Sequence, residues 1–224
     1  MADNSSSHQA TRYDLEIAAT LPHIDLFHQA TMDVIRAVGG PAGQWLDTGC
    51  GTGTLCAQAL GRFPDTWFTL ADPSEAMLDI ARRKLAGQSR VSFHVGGTGS
   101  LAFPDGSFDV VTAIQCHHYL DRAGREAATR NCWRMLRSGG VYVEFENVRP
   151  ASLRGVEVGM TMWRDHQMGQ GRTARQVADH LARFDAEYFP ISIPEHLQLL
   201  DSTGFQVAEV LWASVMQAGF YAIK

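Results

Sequence analysis

The run Leu46-Asp47-Thr48-Gly49-Cys50-Gly51-Thr52-Gly53 constrains this chain more than any other stretch. Trp45 and Leu46 lead into it as an apolar strand end, and Thr54-Leu55-Cys56-Ala57-Gln58-Ala59-Leu60 leaves it with helical apolar spacing. A strand that turns through three alternate glycines into a helix is a nucleotide-binding construction. Glycine accepts positive φ and has no Cβ, so the backbone can lie against a ligand. The helix start that follows offers unpaired N–H groups. The spacing is Gly-x-Gly-x-Gly, not the Gly-x-Gly-x-x-Gly of the dinucleotide fingerprint, and no Gly-Lys-Ser/Thr follows as in a phosphate loop. Asp47 also places negative charge where a pyrophosphate would sit. An acid there suits a ligand that carries positive charge.

Asp47-Thr48-Gly49-Cys50-Gly51-Thr52-Gly53 resembles motif I of the class I S-adenosylmethionine (SAM) dependent methyltransferases. Their cofactor has an α-ammonium, a sulfonium and no phosphate. The resemblance implies cofactor contacts at Asp47, Gly49, Gly51 and Gly53. Trp67 to Asp72 reads as a buried strand ending in an acid, one strand–helix–strand crossover after Asp47. Asp72-Pro73-Ser74 with Met77-Leu78 resembles motif II, in which the acid accepts the ribose hydroxyls. Pro73 and Met77 are then expected near the nucleoside.

The third strand is Val91 to Val95, followed by Gly96-Gly97-Thr98-Gly99-Ser100. Many members of the family carry an Asp where Gly97 stands, to accept a hydrogen bond from the adenine amino group. With glycine there, adenine recognition is expected to rest on the backbone near Thr98 and on apolar packing. Leu101-Ala102-Phe103-Pro104 and Ser107-Phe108-Asp109 are similar to the family's lead into its fourth strand, here Asp109 to Ile114. That strand ends in Gln115-Cys116-His117-His118-Tyr119, at the edge where open parallel sheets bind ligands. Gln115 and His117 are expected beside the cofactor, and His118 with Tyr119 is the catalytic expectation: a neutral imidazole can deprotonate or orient an acceptor. The rival for either histidine is a structural role, packing the following helix.

Helix Glu126 to Leu136 and the turn Arg134-Met135-Leu136-Arg137-Ser138-Gly139-Gly140 resemble the family's Arg-x-Leu-Lys-Pro-Gly-Gly signature. The fifth strand, Val141 to Glu146, alternates so that Glu146 is expected on the substrate side. From Asn147 to Pro190 the family pattern lapses, and a substrate lid is expected over 147–192, with helices at 156–162 and 176–184. Arg175, which can make paired hydrogen bonds to a carboxylate, and Tyr188 are its substrate candidates. A helix from Pro194 to Ser202 and two strands, Phe205 to Trp212 and Met216 to Lys224, finish the chain as the family finishes, with the last strand antiparallel.

The N-terminal segment, Tyr13 to Val38, reads as helix broken near Pro22 and stopped by Gly39-Gly40-Pro41. It stands where the family often carries a cap over the cofactor. Tyr13 is assigned to the cofactor there, and His23 and His28 to the substrate. The polar lead, Met1 to Ala10, reads as disordered.

These features imply a single α/β domain over residues 11–224. Its expected architecture is a Rossmann-like seven-stranded sheet, mostly parallel with an antiparallel last strand, helices on both faces, and a short helical cap (11–40) and lid. No apolar run reaches the ~18 residues of a membrane span. The net charge of −5 and scattered arginines disfavour nucleic acid, which also argues against a faint similarity of lid and tail to the carboxymethyluridine-tRNA branch of the family. Four cysteines without Cys-x-x-Cys spacing suit a reducing cytoplasm. His166 and His180 lack local ligand spacing, so no metal is expected.

The expected function is in-line methyl transfer from SAM to a small-molecule acceptor. Two rivals stand beside it. One is conversion of SAM itself, in which the α-amino group attacks Cγ and methylthioadenosine leaves. The other is a non-catalytic SAM-binding module. The expected partner is a small-molecule substrate, and a homodimer stays open.

Overall fold

The structure, a computed structural model, describes residues 8–39 and 43–224. Residues 1–7 of the polar lead and Gly40-Pro41 of the expected helix stop lie outside the described residues. At the end of that lead His8 is buried against Glu16 and Thr20, and Ala10–Arg12 form a 3₁₀ turn.

Helices α1 (Tyr13–Thr20) and α2 (Ile24–Val38) precede β1 (Gln44–Thr48). Then come α3 (Thr54–Ala59), β2 (Trp67–Asp72), α4 (Glu75–Lys84), β3 (Val91–Val95), β4 (Phe108–Ile114), α5 (Arg122–Met135) and β5 (Leu136–Asn147). The chain ends with α6 (Leu153–Gly169), α7 (Ala174–Leu181), α8 (Ile193–Thr203), β6 (Val207–Ala213) and β7 (Gln217–Ile223). The strands form one sheet in the order β3-β2-β1-β4-β5-β7-β6, with β7 antiparallel to both its neighbours.

The central strands are apolar and buried on both faces, as parallel sheets covered by helices must be. Phe27 and Ile35 of α2, Leu55 and Ala59 of α3 and Ala81 of α4 pack with Trp45 and Phe68 in one core. Cys132 and Met135 of α5 and Leu200 of α8 pack with Leu46, Val111 and Tyr142 in the other. Sequence order reverses between β1 and β4, whose carboxyl ends lie side by side, Thr48 opposite Ala113. Such a switch point opens a crevice outside the strand ends.

Local signals explain where elements start. Asp121 accepts the Gly124 N–H at 2.7 Å and so begins α5 ahead of the expected Glu126. Ser192 and Glu195 cap α8 reciprocally, with Pro194 in its first turn. α6 is longer than the expected 156–162, because Ser152 caps it early and its buried side continues through Trp163 and Gln167. β5 begins at Leu136 rather than Val141, since Gly139 and Gly140 stay in the sheet by bonding to Lys224.

Candidate active site

The glycine loop builds the floor. Gly49, Gly51 and Gly53 have φ of +64°, +53° and +74°, a region that costs any other L-residue. A Cβ on Gly49 would overlap Cys116, so the loop and the end of β4 close together only because Gly49 has none. The Asp72 carboxylate, at the end of β2, accepts the N–H groups of Gly51 and Ser74, both at 2.8 Å. Asp47 is buried and accepts the Thr112 hydroxyl at 2.6 Å. Burial, reinforced by the charge of Asp72 and opposed by Thr112, pushes Asp47 up to about 7.

Two cavities flank this loop and share Tyr13, Ile17, Gly49, Gly51, Ile114 and Gln115 as walls. The first, of about 190 Å³, continues along Asp72, Pro73, Met77, Gly97 and Thr98 on one side and His117, His118, Tyr119, Trp163 and His180 on the other. The second, of about 360 Å³, is lined by Asp47, His28, Thr52 and Lys84. Gln115 stands between them with φ +58° and a buried Nε2 that has no partner among the described residues. A carboxamide in that state, on a strained backbone, is placed for a ligand.

The end of β4 turns into a single 3₁₀ turn, His117–Tyr119, and β5 fixes it from beneath. Glu146 accepts the backbone N–H of His117 and of His118, both at 2.9 Å, and the His118 Nδ1–H at 2.5 Å. Burial alone would raise this carboxyl. The charge and hydrogen bond of His118, with the His117 N–H, outweigh it and hold Glu146 down at about 2. With Nδ1 tied to Glu146, His118 Nε2 makes no hydrogen bond among the described residues, and the ring lines the first cavity against Tyr119, 4.3 Å between centroids. This is a base-and-orienter geometry. Burial pushes the Tyr119 phenol up to about 12, so its hydroxyl stays neutral.

His117 is tied in more completely. The Tyr142 hydroxyl donates to Glu144 at 2.9 Å, so His117 Nδ1 donates to the Tyr142 oxygen at 3.3 Å and its Nε2 accepts from Thr98 at 3.1 Å. Burial pushes its pKa down, and the ring is neutral. Thr98 in turn meets Thr48 at 2.6 Å. His117, Glu144 and Glu146 bring ligand atoms within 4.8 Å of one another, but each already makes hydrogen bonds inside the chain, and we assign no metal to them.

The structure corrects four substrate expectations. Glu146 does not line either cavity; it is spent on the 3₁₀ turn, because β5 passes under that turn rather than beside it. His23 is exposed, in left-handed conformation ahead of α2, with its ring on Trp212. Arg175 points to solvent and pairs with Asp179 one helical turn on. Tyr188 is buried behind His118 and Tyr119 and only backs them. His28 does reach a cavity, the second one. His8, Trp163 and His180 were not legible as site residues. Nothing local marks them, and they meet only because Trp163 donates to the Thr20 carbonyl at 2.6 Å and His8 bonds the Thr20 hydroxyl at 2.9 Å, drawing α6 onto α1.

Residues 46–140 match the family model described as a methyltransferase domain. That stretch of the chain is a methyltransferase domain. A carboxy-S-adenosyl-L-methionine synthase of Campylobacter lari is 22% identical to it, across 80% of this chain and 76% of the relative. A ubiquinone/menaquinone biosynthesis C-methyltransferase of Desulfotalea psychrophila is 33% identical, across 53% of this chain and 47% of its own. The chain therefore spans about half the length of that relative. Among solved structures, the YcgJ protein of Bacillus subtilis shares the fold with a TM-score of 0.64 at 16% identity, covering 88% of this chain and 98% of that one. Phosphoethanolamine N-methyltransferase 2 of Haemonchus contortus, solved with S-adenosyl-L-methionine, has a TM-score of 0.63 at 15% identity, covering 88% and 52%. SAM is the cofactor of the family, and the residues fit it. An acid at the end of β2 can accept vicinal hydroxyls, and a buried acid and an unpartnered carboxamide face the space beside the glycine loop. Among the described residues no helix is long and apolar enough to cross a membrane.

Proposed function

We propose that the enzyme transfers the methyl group of SAM to a small-molecule acceptor held in the first cavity. The observation that carries this reading is the cavity's composition: Asp72 and Met77 line one end, and the free Nε2 side of His118 lines the other, under a roof from α1 and α6. In this reading Asp72 holds the ribose, Met77 and the backbone at Thr98 hold the adenine, and Asp47 with Gln115 receives the amino-acid end. SAM supplies an activated methyl group with its leaving group built in. The chain's part is to align the acceptor, take a proton at His118 Nε2 and exclude water. Glu146 keeps the His118 tautomer correct for that step. An acceptor enclosed by Tyr119, Trp163 and His180 has to be small. Four unpaired cysteines accord with a reducing cytoplasm.

A second reading has its own support. The similarity to the carboxy-S-adenosyl-L-methionine synthase runs through 80% of this chain, whereas that to the C-methyltransferase stops at about half. In that case SAM is itself modified and the second molecule donates to it. Mass spectrometry of the protein incubated with SAM and a small-metabolite extract separates them. S-adenosylhomocysteine formed only with extract, together with a metabolite heavier by one methyl, supports methyl transfer. A mass-shifted SAM, or methylthioadenosine from SAM alone, would sink it.

A further inference from the structure

Behind the first cavity, sharing His8 and His180 as walls, lies another of about 490 Å³, lined also by Glu16, Arg172, Asp179, Arg183 and Glu187. Its acids are all matched: Glu16 pairs with Arg12 at 2.7 Å, Asp179 with Arg175 at 3.8 Å, and Glu187 with Arg183 at 2.7 Å. Arg172 is different. Among the described residues no carboxylate comes within ion-pair distance of it. Among those residues its guanidinium donates only to neutral acceptors, the Thr20 hydroxyl and the Gln176 carbonyl at 3.3 Å, and its buried Nε has no partner. Burial lowers its pKa, with Glu16 opposing from a distance. A partly buried guanidinium with one buried N–H unpartnered and no carboxylate paired to it among the described residues keeps hydrogen-bonding capacity for a ligand.

The same Thr20 that holds Arg172 lines the first cavity and bonds His8. Beside it, burial and the charges of Arg172 and Arg183 push His180 down to about 3, so that ring adds no charge. Arg183, which also lines the rear cavity, interacts with the Tyr119 hydroxyl. Arg172 therefore lines the rear cavity and meets the first through Thr20, which its guanidinium bonds, beside the shared walls His8 and His180.

We propose that Arg172 binds an anionic group, a carboxylate or a phosphate ester, on the small molecule that this enzyme uses together with SAM. The proposal rests on the reading that such a molecule occupies the His118 side of the cavity. Arginine presents a planar fork that matches either anion through paired hydrogen bonds.

The test uses the full chain saturated with S-adenosylhomocysteine and three probes: benzoate, phenyl phosphate and neutral benzamide, titrated by calorimetry. At least one anion is expected to bind saturably and tenfold or more tighter than benzamide, and which one identifies the group. Arg172→Gln should lose that advantage while its S-adenosylhomocysteine affinity stays unchanged, and Arg175→Gln, on the solvent side of α7, should behave as the parent. If Arg172→Gln no longer binds S-adenosylhomocysteine, Arg172→Lys decides, because it keeps the charge and loses the fork: several-fold weaker anion binding is expected. Equal binding of benzamide, undiminished anion binding in the variant that decides, or no saturable binding of either anion would each overturn the proposal. Anion binding without S-adenosylhomocysteine formation from extract would instead overturn methyl transfer and leave the site standing.

Discussion

In our reading His118 and Asp47 carry the chemistry at the scale of single residues, and each makes a distinct prediction. Replacing His118 with alanine removes the ring nitrogen that our reading makes the base, and turnover should fall by about 10²–10⁴-fold. S-adenosylhomocysteine binding, measured by calorimetry, should remain. Asp47 predicts a pH dependence. Its folded pKa is raised to about 7 from an ordinary 3.8, so its contribution to the stability of the cofactor-free protein is present below pH 4 and lost as pH rises toward 7. The cationic ammonium of SAM favours the ionised form. SAM binding at pH 6 should therefore release close to one proton, seen in buffers of different ionisation enthalpy, and the release should vanish at pH 8.5 and in Asp47→Asn. The acid of the glycine loop was plain in the sequence. Its raised pKa was not, because burial by β2, β4 and α3 is a property of the assembled sheet.

At the scale of elements, β5 and β7 decide whether the site is held. β5 carries Tyr142, Glu144 and Glu146 along its length, and these tie down His117, His118 and α8 through His196, whose Nδ1 lies 3.0 Å from Glu144. The strand itself was readable from its apolar alternation and the glycine pair before it. Which way Glu146 faces was not, since period-two spacing gives a face but not what lies beneath it, and the 3₁₀ turn closes over that carboxylate. β7 passes close because it has glycine at position 219, where a Cβ would overlap the Phe145 ring. Gly219→Ala should therefore destabilise the protein by about 1–3 kcal/mol, measured by urea unfolding. Phe145 lies next to Glu146, so the same variant should raise the KM and lower the kcat of the enzyme together.

At the scale of the whole molecule, the seven strands and the antiparallel last one were legible, because each strand–helix unit announces itself locally by period and glycine. The roof was not, since it is assembled from α1 and α6, far apart in the chain. Asp14 of α1 accepts the Thr52 hydroxyl at 2.6 Å and pairs with Lys84 at 2.8 Å, which fastens α1 to the glycine loop. On its other side α1 is held by Trp163 through the Thr20 carbonyl. α1 is short, with Leu15 turned to solvent, and few buried side chains anchor it apart from these bonds. Elements anchored so lightly open more easily than the core. SAM lies beneath α1 in our reading, so entry requires the Asp14 latch to release. Hydrogen exchange should show α1 amides far less protected than those of β1 and β4 in the free protein, and protected on adding S-adenosylhomocysteine. Asp14→Ala should speed ligand release more than it changes the association rate. Full protection of α1 without ligand, equal to that of β4, would place the entry route elsewhere.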